Sequence, residues 1–346
     1  MRRKPSRLPR FSWPRAALTV LLAAVAVFLL LPDGIVPGGR RTGERTAPEA
    51  APPPLTGVPS GFFTGSDEAG VRRIAQVQEW LGGASLTVGH TYLPGDRWSN
   101  IEGHPALFGP WARWKAARPG RLFVLNVPLL DRSEGGLPDA EVRAGLRRGA
   151  DGGYDGHFRT LGERLVAHGL GDAVLVLGWE MNGTTYSHRC GPDPTAWKAY
   201  WRRVVEVLRG VPGQRFRFDF TPSRGLDAIA WPLCYPGDDV VDIIGMDAYD
   251  QPAGLSFEEQ VEEAYGLAHQ VRFAAAHGKP VSYPEWGLFR NGDNPAYVRG
   301  MLDWFAAHRP VYQTVTDYCP HGVWECADNP ESARIVRGAL GAPGVS

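Results

Sequence analysis

The sequence has no charge excess and lacks the short motifs of several common enzyme classes. Of its 346 residues, 37 are Lys or Arg and 37 are Asp or Glu, so no basic surplus favours a nucleic-acid partner. No H-E-x-x-H or other tight histidine spacing occurs, which argues against a catalytic metal. A G-x-S-x-G motif is also missing, and the early strands lack the G-x-G-x-x-G turn of dinucleotide folds. We therefore expect neither a metal nor another cofactor.

Cysteine is scarce, and no C-x-x-C pair occurs, which argues against a zinc ribbon. The four cysteines are Cys190, Cys234, Cys319 and Cys326. In an oxidising compartment they can form two disulfides. A bond between Cys319 and Cys326 would close a short loop and leave Cys190 to pair with Cys234. Four cysteines allow three pairings, and the sequence leaves the choice open.

The N-terminus has the pattern of a targeting segment, in which basic residues precede an apolar run at residues 16–31. The basic residues are Arg2, Arg3, Lys4, Arg7, Arg10 and Arg15. The run of 16 residues is shorter than the roughly 20 of a full membrane span. Because no small-x-small cleavage site follows promptly, an uncleaved signal anchor is favoured over a cleaved signal peptide. In both cases the basic end is expected in the cytoplasm, and the remainder is expected outside the cell or in its envelope.

Two regions follow this segment. Residues 32–56 are rich in Pro, Gly, Ala, Arg and Thr without a periodic apolar face, which predicts a disordered tether. Residues 57–346 then form the single folded domain. We expect a monomer that contacts the membrane only through its N-terminal segment.

Short apolar runs alternate with amphipathic segments along the folded domain. The eight predicted strands are GFFTG, ASLTVGH, RLFVLNV, AVLVLGW, RFRFDFT, VVDIIGMDAY, KPVSYPE and VYQTVTDY. Helix starts are marked by a capping residue, several times followed by proline, at Asp67, Asp193, Ser256, Asn294 and Asn329. Eight β/α units over this length predict a (β/α)8 TIM barrel of the α/β class, which typically needs about 250 residues. A doubly wound open sheet is the alternative.

Two of the predicted strands end on a glutamate, Glu180 after strand four and Glu285 after strand seven. Barrel active sites lie at the C-terminal ends of the strands, so both carboxylates are expected at one mouth. Two carboxylates in one cleft suit glycoside hydrolysis, in which one must be protonated and the other ionised. Like charges that lie close together separate the pKa values of two acids, which supports this division of roles.

Three segments, GWEMNG, DIIGMDAYD and KPVSYPEWG, together resemble glycoside hydrolase family 26. The resemblance covers approximately residues 61–340. It implies a retaining barrel enzyme of clan A, chiefly an endo-β-mannanase, with some xylanases and mixed-linkage glucanases in the family. It implies that Glu180 is the acid/base, that Glu285 is the nucleophile and that Tyr249 hydrogen-bonds to the nucleophile. Asn182 would lie beside the acid/base, and Trp324 would be a sugar platform.

The sequence departs from the family at Trp179, where the family usually has His directly before the acid/base. An indole donates only through its nitrogen, and it adds a face on which a sugar can stack. The departure concerns the choice of substrate, since both glutamates are retained. The complete set of predicted substrate-binding residues is His90, Trp179, Asn182, Asp247, Tyr249, Trp286 and Trp324.

The predicted activity is cleavage of a β-linked polysaccharide, with β-mannan first and β-xylan or β-glucan as alternatives. The predicted mechanism is double displacement by an endo-acting, retaining enzyme. A barrel that binds cell-surface polysaccharide without cutting it is the non-catalytic alternative. A metal-dependent barrel hydrolase is the second alternative.

Overall fold

The computed structural model of the protein describes residues 54–342. The predicted targeting segment and most of the predicted tether lie outside these residues. Within them, no helix combines the length and the apolar character that crossing a membrane requires. The last residues of the predicted tether pack onto the domain, because Leu55 is 9% exposed and its N–H donates to the carbonyl of Ala339.

The centre of the domain is a closed barrel of parallel strands, which confirms the predicted fold and excludes the open doubly wound sheet. The strands are β1 (Ser60–Phe63), β2 (Val88–Tyr92), β3 (Leu122–Val127), β4 (Val174–Leu177), β5 (Arg217–Phe220), β6 (Ile243–Gly245), β7 (Ala248–Tyr249), β8 (Val281–Gly287) and β9 (Gln313–Thr316). Strands β1 to β6 pair in sequence order, as do β7 to β9, while β1 pairs with β9 and β6 pairs with β8. Strands β6 and β7 are two pieces of the sixth position, since both pair with β8.

The strands are almost continuously apolar because both of their faces are buried. Val124 belongs to a small cluster inside the barrel, whereas its neighbour Leu125 belongs to the larger core between strands and helices. The period-two alternation of a strand separates the two layers. Parallel strands also bring all of their C-terminal ends to one mouth, where the loops meet.

Ten helices surround the barrel within residues 54–342. They are α1 (Glu68–Trp80), α2 (Trp98–Ile101), α3 (Pro105–Ala116), α4 (Asp139–Ala150), α5 (Asp155–Ala167), α6 (Pro194–Arg209), α7 (Phe257–Glu262), α8 (Leu267–Ala276), α9 (Pro295–His308) and α10 (Pro330–Leu340). The predicted caps Asp67, Asp193, Ser256 and Asn294 each accept a backbone N–H at a helix start. The side chain of Asn329 makes no such bond.

Both disulfides are present, and their pairing is the one that closes a short loop. Cys319 bonds to Cys326 in the loop after β9. Cys190 bonds to Cys234 and thereby joins the loop after β4 to the short 3-10 helix Trp231–Cys234 after β5. The second bond fixes the loop that carries Glu180.

Candidate active site

Glu180 lies in a sharp turn directly after β4. Gly178 has a φ of 56° and Glu180 a φ of 50°, both in the left-handed region. A residue with a side chain in that region costs roughly 1–3 kcal/mol, so the surroundings must hold it there. The N–H of Glu180 donates to the carbonyl of Thr221 at 2.8 Å, which ties the turn to the end of β5.

Asn182 holds the same turn from the other side. Its side-chain amide donates to the carbonyl of Ser223 at 3.0 Å and accepts from the N–H of Ser223 at 2.9 Å. The side chain is completely buried. This geometry favours a role in fixing the loops after β4 and β5, and its predicted contact with substrate stays a prediction.

Glu285 lies in a bulge of β8. Tyr283 pairs with Gln313 and Trp286 with Val315, so β8 has one residue more than β9 between these pairs. Pro284 is tolerated in the bulge because it has no N–H for the ladder. The rings of Tyr283 and Trp286 both contact Phe305 of α9, at centroid distances of 4.8 and 5.3 Å. The extra residue thus lets two neighbouring aromatic residues pack outward while Glu285 stays at the mouth.

Three side chains donate hydrogen bonds to the carboxylate of Glu285, which is 7% exposed. The hydroxyl of Tyr249 donates to Oε2 at 2.6 Å, and the amide of Asn126 donates to Oε1 at 3.0 Å. Tyr92 also hydrogen-bonds to it. These donors stabilise the ionised form, which a nucleophile requires.

Two further residues support these donors. The hydroxyl of Thr316 lies 2.9 Å from that of Tyr249. Because the phenol O–H points to Glu285, the hydroxyl of Thr316 donates to the phenol oxygen. His90 is buried, and its Nε2 lies 2.8 Å from Oδ1 of Asn126. Burial lowers the pKa of His90 to about 4. The ring is therefore neutral at neutral pH, and its Nε2–H donates to Asn126 rather than to a substrate.

The two glutamates titrate differently. Burial first, and the charge of Glu285 next, raise the pKa of Glu180 to about 7. Burial also raises the pKa of Glu285, but the hydrogen bonds from Tyr249, Tyr92 and Asn126 oppose this shift. The arrangement therefore has one carboxyl that can donate a proton near neutral pH and one that is stabilised as an anion.

A cleft of about 310 Å³ opens beside Glu285. It is lined by Phe63, Ser66, Tyr92, Leu93, Pro94, Gly95, Pro128, Ser133, Glu134, Trp179, Tyr186, Glu285 and Tyr318. The loops after β1, β2, β3, β4 and β9 all contribute to it. Sugars bind to such clefts through aromatic faces and a few placed polar groups.

Trp179 forms part of the cleft wall and is 5% exposed. Its ring contacts those of Tyr92, Tyr186 and His188 at centroid distances of 5.7, 4.8 and 5.1 Å. It also hydrogen-bonds to the phenol of Tyr186. Trp179 thus contributes an aromatic surface to the cleft wall.

Asp247 lies between β6 and β7 and is 2% exposed. Both of its carboxyl oxygens are without a hydrogen-bond partner among residues 54–342. Burial first, and then the charges of Glu285 and Glu180, raise its pKa well above the usual range. Burial and the two nearby glutamates thus favour the protonated form of Asp247, and its predicted contact with substrate stays a prediction.

The structure does not bring Trp286 and Trp324 to the cleft. Trp286 is 1% exposed, and its indole N–H donates to Gln313 at 2.5 Å. The bulge in β8 turns it outward, so adjacency to Glu285 in sequence did not place it at the mouth. Trp324 packs against the outer core and is not among the residues that line the cleft. The loop after β9 contributes Tyr318 instead, which is 45% exposed.

Asp219 within β5 and Arg224 after it do not form an ion pair with each other. Asp219 accepts hydrogen bonds from Thr221, Ser282 and Tyr312 inside the barrel. Arg224 pairs with Glu263 and donates to the carbonyl of Tyr249. Arg224 therefore supports the backbone that carries a donor to Glu285.

Sequence reasoning did not identify Asn126, Tyr186, Tyr318 and Glu134 as site residues. Asn126 had a recognisable signal, because it is the one polar residue in the otherwise apolar strand LFVLNV. The other three lie in loops, where nothing in the sequence distinguishes a residue at the cleft from other loop residues.

Within residues 54–342, the group with metal-ligand spacing is Cys319, Cys326 and Asp328. The two cysteines are bonded to each other. Their sulfur atoms are therefore not available as thiolate ligands.

Residues 178–286 match the family model of glycosyl hydrolase family 26. The matched segment begins at the turn before Glu180 and ends at the residue after Glu285. Over this segment, which contains both glutamates, the chain is similar to glycosyl hydrolase family 26. No curated protein matches its sequence.

Solved structures of several mannanases share the barrel. Mannanase man26 of Bacillus subtilis has a TM-score of 0.60 at 14% identity, over 82% of this chain and 86% of that one. The catalytic domain of the endo-β-1,4-mannanase of Bacillus sp. JAMB-750 has a TM-score of 0.60 at 18% identity, over 81% and 85%. The β-mannanase BoMan26A of Bacteroides ovatus has a TM-score of 0.55 at 16% identity, over 74% and 79%. At these identities the likeness shows a common fold.

Proposed function

We propose that the protein is a family 26 enzyme, a retaining endo-hydrolase of β-linked polysaccharide with β-mannan as its substrate. The proposal is carried by the contrast between the two carboxyls. Glu285 receives three hydrogen bonds, whereas Glu180 has a pKa of about 7. One group is thus prepared to attack and the other to donate a proton.

In the first step, a carboxylate oxygen of Glu285 attacks the anomeric carbon of the sugar in the cleft. The bond to the leaving oxygen breaks, and Glu180 transfers its proton to that oxygen. The products are a glycosyl ester on Glu285, the released part of the chain and an ionised Glu180.

In the second step, Glu180 takes a proton from water as the water oxygen attacks the same carbon. The ester bond breaks, and Glu285 leaves as a carboxylate. Tyr249 and Asn126 stabilise the charge that returns to it. Because the carbon is attacked twice from opposite faces, the product keeps the configuration of the substrate.

The substrate assignment has its own support. The solved structures with the same fold are described as mannanases. The aromatic walls formed by Tyr92, Trp179 and Tyr318 suit the C–H faces of a sugar ring. Xylan and mixed-linkage β-glucan are the alternative substrates if mannan is not cleaved.

The test is release of reducing ends from β-mannan, β-xylan and mixed-linkage β-glucan by the wild-type protein and by Glu285→Ala. We expect mannan to be cleaved internally by the wild type, and the variant to lose on the order of 10⁴-fold or more in kcat. Equal and negligible release by both proteins on all three substrates would contradict the enzymatic proposal and favour a binding barrel. Loss of activity on chelation would favour a metal-dependent hydrolase.

We also propose that the protein is exported and held at the membrane by residues 16–31. The two disulfides support an oxidising compartment. Cell fractionation, with mass spectrometry of the N-terminus, tests this. A membrane fraction with residues 1–31 intact is expected, whereas a shortened protein in the medium would indicate a cleaved signal peptide.

A further inference from the structure

The cleft beside Glu285 contains negative charge and no positive charge. Of the residues that line it, the only two with a formal charge are Glu134 and Glu285, and no Lys, Arg or His is among them. The remaining wall is aromatic, proline, glycine, serine and leucine. A sugar that enters the cleft therefore meets carboxylates alone as charged partners.

Glu134 is held at a fixed position on the cleft wall. It lies in the loop between β3 and α4, and the neighbouring Ser133 is anchored twice. The N–H of Ser133 donates to the carbonyl of Gly95 at 2.8 Å, and its carbonyl accepts from the N–H of Ser187 at 2.7 Å. The loop is thus attached to those after β2 and β4.

The charge of Glu134 acts across the cleft. It contributes to the raised pKa values of Tyr186 and Tyr318, after the larger contributions of burial, Glu180 and Glu285. These two tyrosines lie on the loops after β4 and β9. Glu134 is therefore close enough to both walls to interact with a sugar between them.

No cation within residues 54–342 compensates Glu134. The carboxylate is exposed and forms neither an ion pair nor a hydrogen bond there. Arg132, two residues away, pairs with Glu141 of α4 at 3.3 Å instead. Arg132 does line the adjoining cavity, together with Asp96, but that pair of charges adds no net charge to it.

Uncompensated charge in a cleft with apolar walls focuses the field along the cleft. A sugar with a carboxylate is repelled by this field, whereas a neutral sugar is not. We propose that the cleft selects its sugar by charge, with Glu134 as a specificity-determining residue that admits neutral hexosyl units and excludes uronate units. The inference rests on the proposed function, because it assigns the cleft to the sugar that Glu285 attacks.

Two oligosaccharides of the same linkage and ring configuration test the proposal. β-1,4-Mannotetraose and β-1,4-tetramannuronate differ at C6, which is a hydroxymethyl group in one and a carboxylate in the other. Calorimetric titration of the full chain in about 0.01 M and about 1 M salt compares weak with strong screening. We expect mannotetraose to bind with the same affinity at both salt concentrations. Tetramannuronate should bind at least about tenfold more weakly than mannotetraose at low salt, and this gap in affinity should close at high salt.

Glu134→Gln assigns the effect to one residue. Removal of one partly exposed charge should narrow the low-salt gap by about threefold, and Glu134→Lys should narrow it further. The matched control is Glu163→Gln, which removes an exposed charge on α5, outside the cleft lining, and should leave the gap unchanged. Circular dichroism verifies that each variant is folded.

Equal binding of both sugars by the wild type at low salt would overturn the proposal, without reference to any variant. So would an unchanged gap in a folded Glu134→Gln protein. If mannan is hydrolysed in a Glu285-dependent way while the charge effect is missing, only this inference fails. If neither sugar binds and mannan is not hydrolysed, the proposed function fails with it.

Discussion

The two glutamates lie at the same barrel mouth, yet the chain delivers them by different means. Glu180 stands in a turn with a left-handed backbone, held by Thr221 and by the loop that Asn182 fixes. Glu285 stands inside a strand, in a bulge that admits Pro284. Both solutions place a charged side chain at the end of an apolar strand without displacing the core. The strained turn and the bulge mark positions at which function overrides regular secondary structure.

Their hydrogen-bond partners differ as well. Glu285 has three donors, whereas Ser223 is the one side chain that opposes the rise in the pKa of Glu180. Because donors stabilise the ionised form, their number assigns the roles more directly than burial, which raises the pKa of both acids. Substitution of the donors to Glu285 should therefore affect the nucleophile alone, and substitution of Glu180 should affect proton transfer alone.

After the loss of the nucleophile in Glu285→Ala, the largest effect in this comparison is expected from Glu180→Ala. Loss of the proton donor should reduce kcat on mannan by about 10²–10⁴-fold. The loss should be smaller on an aryl mannoside with an acidic leaving group, which departs without a proton. Added azide should restore turnover of the aryl substrate and give the β-glycosyl azide, as analysed by NMR.

Glu285→Ala is the matched control for that experiment. With the nucleophile missing, azide attacks the substrate directly, so rescue should give the α-glycosyl azide. The same azide anomer from both variants would contradict the different roles assigned to the two glutamates.

The next effect is expected from Tyr249→Phe, which removes the 2.6 Å hydrogen bond to Glu285. A bond to a charged group is worth about 1.5–3 kcal/mol, so kcat/KM should fall by about tenfold or more. For the wild type, activity should rise with pH as Glu285 ionises and fall above about pH 7 as Glu180 loses its proton. Without Tyr249 the ionised form loses a donor, so the pKa of Glu285 rises.

The pH profile of kcat/KM distinguishes this account from a structural defect. In Tyr249→Phe the acidic limb should move to higher pH. A uniform drop at every pH, with both limbs unmoved, would show that Tyr249 does not tune the nucleophile.

The smallest effects are expected from substitution of Asn126 and of His90, which hydrogen-bonds to Asn126. Asn126→Ala should lower kcat/KM by several-fold and move the acidic limb in the same direction as Tyr249→Phe. His90→Ala should cost only about threefold, since it acts through a neutral hydrogen bond to Asn126. In the double variant the two losses should not add. Additive losses would mean that His90 acts independently, for example by direct contact with substrate.

The sequence was sufficient for the barrel because its strands are short apolar runs with β/α alternation. It was less informative about helices. Helix α3 contains Gly109 and Pro110, which read as breaks, and α4 contains Gly149, where a Cβ would approach the ring of Tyr200 to 2.5 Å. The helix that starts after Ser256 ends at Glu262, and a second helix, α8, begins at Leu267 after Tyr265, which has a φ of 63°.

The site was predictable where it follows from strand ends, and less so elsewhere. Glu180 and Glu285 follow directly from the ends of two predicted strands, whereas the role of Tyr249 is implied by the family resemblance. Trp286 was misplaced because simple adjacency to Glu285 ignores the bulge that turns the ring outward. Tyr318 and Glu134 depend on how loops after different strands meet across the cleft, which periodicity does not encode.

Covalent trapping tests the central claim, that Glu285 attacks and Glu180 donates. The wild-type protein is incubated with a 2-deoxy-2-fluoro-β-mannosyl donor carrying a good leaving group, and its peptides are analysed by mass spectrometry. We predict one fluorosugar per chain, on the peptide that contains Glu285, and none in Glu285→Ala. A label on Glu180, or turnover with inverted configuration and no trapped ester, would contradict the account.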